Sequence, residues 1–255
     1  MNTRNTTFTV LSGMGMLLII LGHLNSGILT FWGLFPYYSY HVMIFVFIAG
    51  YFYKPENEEK ILSYILRKCK TLLLPYFIWN IVYGITAGFL HKRGFIIGED
   101  ISLWNIFIEP FVGGHQFMYN APAWFVPALF LLEVCNVTGR KILKAVKIKN
   151  EIVLFVIYLL IGVFTVYMAK RGSVYNYYKI PGRIMLMAPC LQMGRLYRDK
   201  GEKLDIVPSP IYFGLLLLMN FIITKTHGGL AYGVVWVTGF ANTVFTPFIT
   251  AMTGI

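Results

Sequence analysis

LLIILGHLNSG, residues 17–27, decides the solvent in which this chain folds. An aliphatic run suited to hydrocarbon leads into His23, and Asn25 and Ser26 follow at once. A polar side chain at membrane depth is costly, so it faces a cavity or a partner rather than lipid. His23 is therefore either a tie between helices or a working group.

The composition agrees with the lipid reading. The chain is 57% hydrophobic and 17% aromatic, with 13% charged residues and a mean hydropathy of +0.64. A soluble domain carries about 25% charged residues. The net charge of +11 does not point to nucleic acid, because the basic residues fall between apolar runs instead of clustering on one soluble face. Cys69, Cys135 and Cys190 form no paired motif, so neither a disulfide framework nor a metal site is expected. The N-terminus lacks the short apolar core and cleavage site of a signal peptide and reads as a retained first span.

A helical span needs about 20 mostly apolar residues. Eight stretches qualify, at 8–30, 37–53, 72–90, 121–138, 151–169, 180–197, 206–224 and 230–255. Pro75, Pro127, Pro181 and Pro189 interrupt several of them, which neighbouring helices can tolerate. The shorter 101–112 suits a helix lying at the interface. The expected fold class is all-α, a polytopic bundle of about eight transmembrane helices spanning 8–255, with 1–7 as a cytoplasmic tail. Fifteen Lys and Arg fall on one side of these spans, at Arg4 and within 54–70, 140–149 and 195–203, against seven on the other. Positive charge marks the cytoplasmic side, so the N-terminus is expected inside. The chain ends at AMTGI within apolar sequence, which reads as a chain cut short.

With that topology His23 and His41 come to a similar outer depth, with Asn25 and Ser26 near the mouth of a shared cavity. A neutral imidazole there can act as general base toward a hydroxyl; equally, each histidine can tie two helices. Glu133, within WFVPALFLLEVC, is protonated, paired, or an interfacial anchor. Trp124 and Phe125 are belt residues or acceptor-side contacts. Arg67, Lys68 and Lys70 reflect plain topology or form a phosphate-binding patch. Gly84 and Gly88 form a GxxxG, a weak packing signal.

Five segments stand out in order along the chain: GMGMLLIILGH (13–23), YHVMIFVFIAGYFY (40–53), RKCKTLLLPYFIW (67–79), PAWFVPALFLLEV (122–134) and PCLQMGRLY (189–197). Together, and in this order, they resemble the acyltransferase-3 family of integral membrane acyltransferases, nearest its fucose 4-O-acetylase-like bacterial branch. Members have about ten spans, so the resemblance implies that the last two are missing. It implies that His23 is the essential histidine and that Arg67 and Lys70 are a basic pair at the cytoplasmic mouth. The family's basic residue eleven positions before that histidine falls on Ser12, a departure from the pattern. The implied activity is transfer of an acyl group, most often acetyl, from acyl-CoA to a glycan hydroxyl by a multi-pass protein of the bacterial cell membrane. No bound cofactor is implied, and the partners are membrane lipids, acyl-CoA and a glycan acceptor. The competing classes are a transporter or flippase, and a catalytically inactive relative.

Overall fold

The computed structural model describes residues 6–23, 41–95, 101–114, 118–170 and 179–227, and every regular element among them is helical. The elements are α1 (Thr6–His23), α2 (His41–Tyr51), α3 (Ile61–Lys68), α4 (Leu74–His91), α5 (Glu109–Val112), α6 (Phe125–Ala145), α7 (Glu151–Lys170), α8 (Lys179–Leu196) and α9 (Ser209–His227). Three runs among the described residues are long and apolar enough to cross a membrane: Ile61–His91, Pro122–Ala145 and Glu151–Met168. The apolar helices over Thr6–Leu21 and His41–Tyr51 are shorter. The expected span 230–255 lies outside the described residues, and that at 8–30 is described only to His23.

Two spans differ from expectation for identifiable reasons. The expected 72–90 is the second part of a 31-residue run. A π-turn, Cys69–Leu73, joins α3 to α4, with the Leu74 N–H bonded to the Cys69 carbonyl. A proline inside an α-helix clashes with the carbonyl four residues back. The wider turn directly before Pro75 relieves that clash, so the helix runs from Ile61 through Pro75 and the expected start at 72 falls inside it. The expected 121–138 ends at Ala145 instead of yielding to a basic loop, because Arg140 is buried and pairs with Glu58. Lys147, with a φ of 65°, sits two residues beyond that end. The segment expected as a short helix over 101–112 is helical from 103 to 112, a π-turn, Trp104–Ile108, running straight into the single turn of α5, with Leu103 and Trp104 exposed and Ile106 buried against Ala87.

The chain divides into two packing units, one of residues 1–53, 150–170 and 186–255, the other of 54–149 and 171–185. In the first, α1 lies on α2 with Phe8, Phe47 and Tyr51 as its core. The Phe8 and Tyr51 rings are 4.1 Å apart. The close approach of α2 to α8 depends on two glycines. A Cβ on Gly50 would strike the Leu191 carbonyl, and one on Gly194 the Phe47 carbonyl. Small residues that let backbones meet are the main device for joining helices in lipid. Gly88 of the GxxxG in α4 makes no such contact, since a Cβ there would only touch Ile101 at 3.8 Å. Gly194→Ala should therefore destabilise the protein by about 1–3 kcal/mol, the usual cost of overpacking. Gly88→Ala should be near neutral, and thermal melts in detergent would separate the two.

Polar ties complete this unit. Gln192 donates to the Glu151 carboxylate at 2.7 Å, fastening α8 to α7. Arg195 donates to the Tyr53 carbonyl at 3.0 Å and Arg198 to the Tyr51 carbonyl at 2.9 Å. These cations satisfy carbonyls at the end of α2 that have no helical partner.

Candidate active site

His23 is the last residue of α1, and Asn25 and Ser26 lie outside the described residues. His41 opens α2 and is buried. The two histidines are not at one height along the pair. A Cβ on Gly15 would lie 3.6 Å from the His41 carbonyl, so Gly15 is level with His41. His23 is eight residues further on, about 12 Å at 1.5 Å per residue. The antiparallel pairing of Phe8 with Tyr51 sets this register, which span ends alone did not reveal. The Ser12 hydroxyl donates to the Phe8 carbonyl at 2.8 Å, so it is held within its own helix.

The basic segment belongs to the second unit and is not uniform. Lys68 Nζ pairs with Glu133 Oε1 at 2.6 Å. That contact resolves the three readings of Glu133: the carboxyl is buried and paired. It also sets Lys68 apart from Arg67 and Lys70, since one of its three N–H donors is committed to a buried carboxylate. Arg67 and Lys70 are exposed, and Arg67 donates to Asn57 at 3.2 Å and stacks near the Tyr64 ring.

Trp124 and Phe125 do not form a lipid-facing belt: both are buried. The guanidinium of Arg183, itself 2% exposed, lies 4.4 Å from the centre of the Trp124 ring. An arginine over an indole face is attracted by the ring's negative quadrupole, the more so when water is excluded. Gly114 closes this cluster in a left-handed conformation (φ 82°), where a side chain would be strained and would crowd Arg183 and Trp124.

Between α4 and the start of α6 lies a cleft of about 460 Å³, lined by Thr71, Tyr76, Trp79, Tyr83, Asn120 and Val126 among others. Asn120, on its wall, belongs to a buried amide pair. Asn80 Nδ2 donates to the Ile106 carbonyl at 2.9 Å, and Asn120 Nδ2 donates to Asn80 Oδ1 at 3.1 Å. Asn120 sits at a kink (φ −112°, ψ 16°) inside the short 3₁₀ segment Met118–Trp124. The sequence reading passes over Asn80, Asn120 and Arg183; Asn80 and Arg183 stand inside the apolar runs 72–90 and 180–197, as His23 does in its own, whereas Asn120 precedes its run and carries no such signal.

A family model described as an acyltransferase domain, that of acyltransferase-3, matches residues 7–255. The chain belongs to the acyltransferase-3 family. No curated protein and no solved structure matches it. It is thus a membrane acyltransferase by family and by its apolar helices. Among the described residues no cluster of His, Cys, Asp and Glu could hold a metal ion. Cys69, Cys135 and Cys190 are free thiols.

Proposed function

We propose that the protein transfers an acyl group, acetyl in the first instance, from acyl-CoA to a hydroxyl of a cell-surface or exported glycan. The observation that carries this reading is the family match over residues 7–255. The placing of His23 in the first apolar helix and of Arg67 and Lys70 in an exposed basic segment supports the assignment of roles. His23 acts as general base. Its imidazole takes the proton of the attacking hydroxyl, the new C–O bond forms at the thioester carbonyl, the C–S bond breaks, and the proton passes to the departing thiolate. Asn25 and Ser26 orient this group or the acceptor, while His41, level with Gly15 and about 12 Å along the helix from His23, ties α2 to a neighbouring helix. The distribution of basic residues supports an N-terminus in the cytoplasm, and the cell membrane is the location that fits an exported acceptor. A cysteine introduced within 139–150 should then react with an impermeant reagent only from the cytoplasmic side; reaction from outside would reverse the orientation.

Consumption of acetyl-CoA by the purified protein with a glycan acceptor, wild type against His23→Ala, tests the function. Thioester loss that depends on acceptor and on His23 is expected. Equal thioester loss in both proteins would remove His23 from the chemistry.

Arg67 and Lys70 hold the anionic phosphates of the donor. The Arg67→Ala, Lys70→Ala double variant should raise the apparent donor KM about tenfold or more and leave kcat within about twofold, with a smaller difference at high salt because exposed phosphate contacts are screened. A donor KM equal to that of wild type would reduce these cations to markers of topology.

A further inference from the structure

We propose that the cleft between α4 and the 118–126 segment is a carbohydrate site, with Trp79 as the platform for a sugar ring and Asn120 as the acceptor for one of its hydroxyls. This rests on the acyltransferase reading and states where its acceptor binds. The first support is depth. Asn80 lies ten residues beyond Lys70, about 15 Å along the helix and half of a hydrocarbon layer about 30 Å thick. The 3₁₀ segment and the kink at Asn120 meet α4 at that level, through the Asn120–Asn80 bond. Non-helical backbone at such depth is tolerated only where it is packed in protein or lines a water-filled cavity. Here it lines the cleft.

The second support is the direction of the hydrogen bonds. The Ile106 carbonyl can only accept, so it fixes Asn80 with its Nδ2 toward Ile106 and its Oδ1 toward Asn120. Asn120 must then present Nδ2 to Asn80, which turns its own carbonyl away from the pair. Asn120 lines the cleft, so that carbonyl is the group a ligand hydroxyl can meet. The third support is the lining. Trp79 is 62% exposed, and Tyr76 and Tyr83 stand on the same helix face. Flat aromatic walls with a few placed polar groups suit a ligand that has an apolar face and a hydroxylated edge. A hydrocarbon chain would have no use for the amide.

The test uses the full chain in nanodiscs, acetyl-CoA as donor, and the methyl glycosides of fucose, galactose and N-acetylglucosamine as probes. Trp79→Leu alters an exposed ring and should fold normally; Asn120→Leu removes the carbonyl and is checked by monodispersity. Both should raise the KM for the glycoside that wild type uses by about tenfold or more while changing the donor KM by less than about twofold. Glycoside KM values unchanged in both variants, with transfer intact, would overturn the site and leave the acyltransferase reading standing. A lipid chain as the occupant predicts that same unchanged result. If wild type consumes no thioester, yet the glycosides change its tryptophan emission and Trp79→Leu abolishes the change, the site stands and the acyltransferase reading falls. Neither transfer nor binding with any of the three glycosides would overturn both.

Discussion

Replacing His23 by glutamine should lower acyl transfer by roughly 10²–10⁴-fold, the range typical for loss of a general base. Glutamine keeps much of the side chain's size and can still bridge two helices, so a structural histidine would tolerate the change with modest loss. It cannot take up a proton near neutral pH, so a base would not. His41→Gln should cost less, because His41 lies level with Gly15 and about 12 Å along the helix from His23. The measurement is turnover at saturating donor and acceptor, in protein whose melting profile matches wild type. Turnover of His23→Gln near that of wild type would make His23 a tie between helices.

The largest effect on stability should come from Arg140. Its Nε bonds Glu58 Oε1 at 3.0 Å, and both side chains are more than nine-tenths buried. Arg140→Met leaves the Glu58 carboxylate buried without its main partner, a loss of about 3–5 kcal/mol for such pairs. Lys144, 3.7 Å from the other carboxylate oxygen and half exposed, should hold the loss to the lower end of that range. Adding Glu58→Gln should restore much of the stability, because the cost arises from an uncompensated charge more than from a missing bond. Thermal melts of the two variants decide it. A single variant as stable as wild type would mean that the pair contributes little.

The sequence made the solvent and the helical class legible, because a mean hydropathy of +0.64 with charges confined to a few stretches admits few other folds. The span expected at 151–169 matches α7 almost residue for residue, since an uninterrupted apolar run leaves no choice of ends. Hydropathy starts the span at 72, inside the run from Ile61 to His91, because Arg67, Lys68 and Lys70 signal a loop. The π-turn before Pro75 and the partner of Lys68 are not written locally. The same holds for α6, whose last turns depend on a residue 82 positions away.

The site divides along the same line. His23 stood out because an imidazole in an aliphatic run has a cost that must be met. Lys68 looked equivalent to Arg67 and Lys70, and only the fold separates them by placing Glu133 beside one of the three. Trp124 suggested a belt at an interface, but Arg183, distant in sequence, draws it into the interior. Asn80 and Asn120 carried no motif. Their pairing needs the short 3₁₀ segment to reach the middle of α4, a tertiary fact that neither local stretch encodes.

The central claim is that a hydroxyl receives an acyl group from acyl-CoA by way of His23. Its most direct measurement follows labelled acetyl-CoA and a glycan acceptor in proteoliposomes, with the label recovered from the glycan. Wild type should place label on the glycan as an ester that mild base removes, releasing one CoA per ester formed, and His23→Gln should lose both products together. Label on the glycan at the same rate in the two proteins, or no label and no CoA released by wild type, would contradict the account.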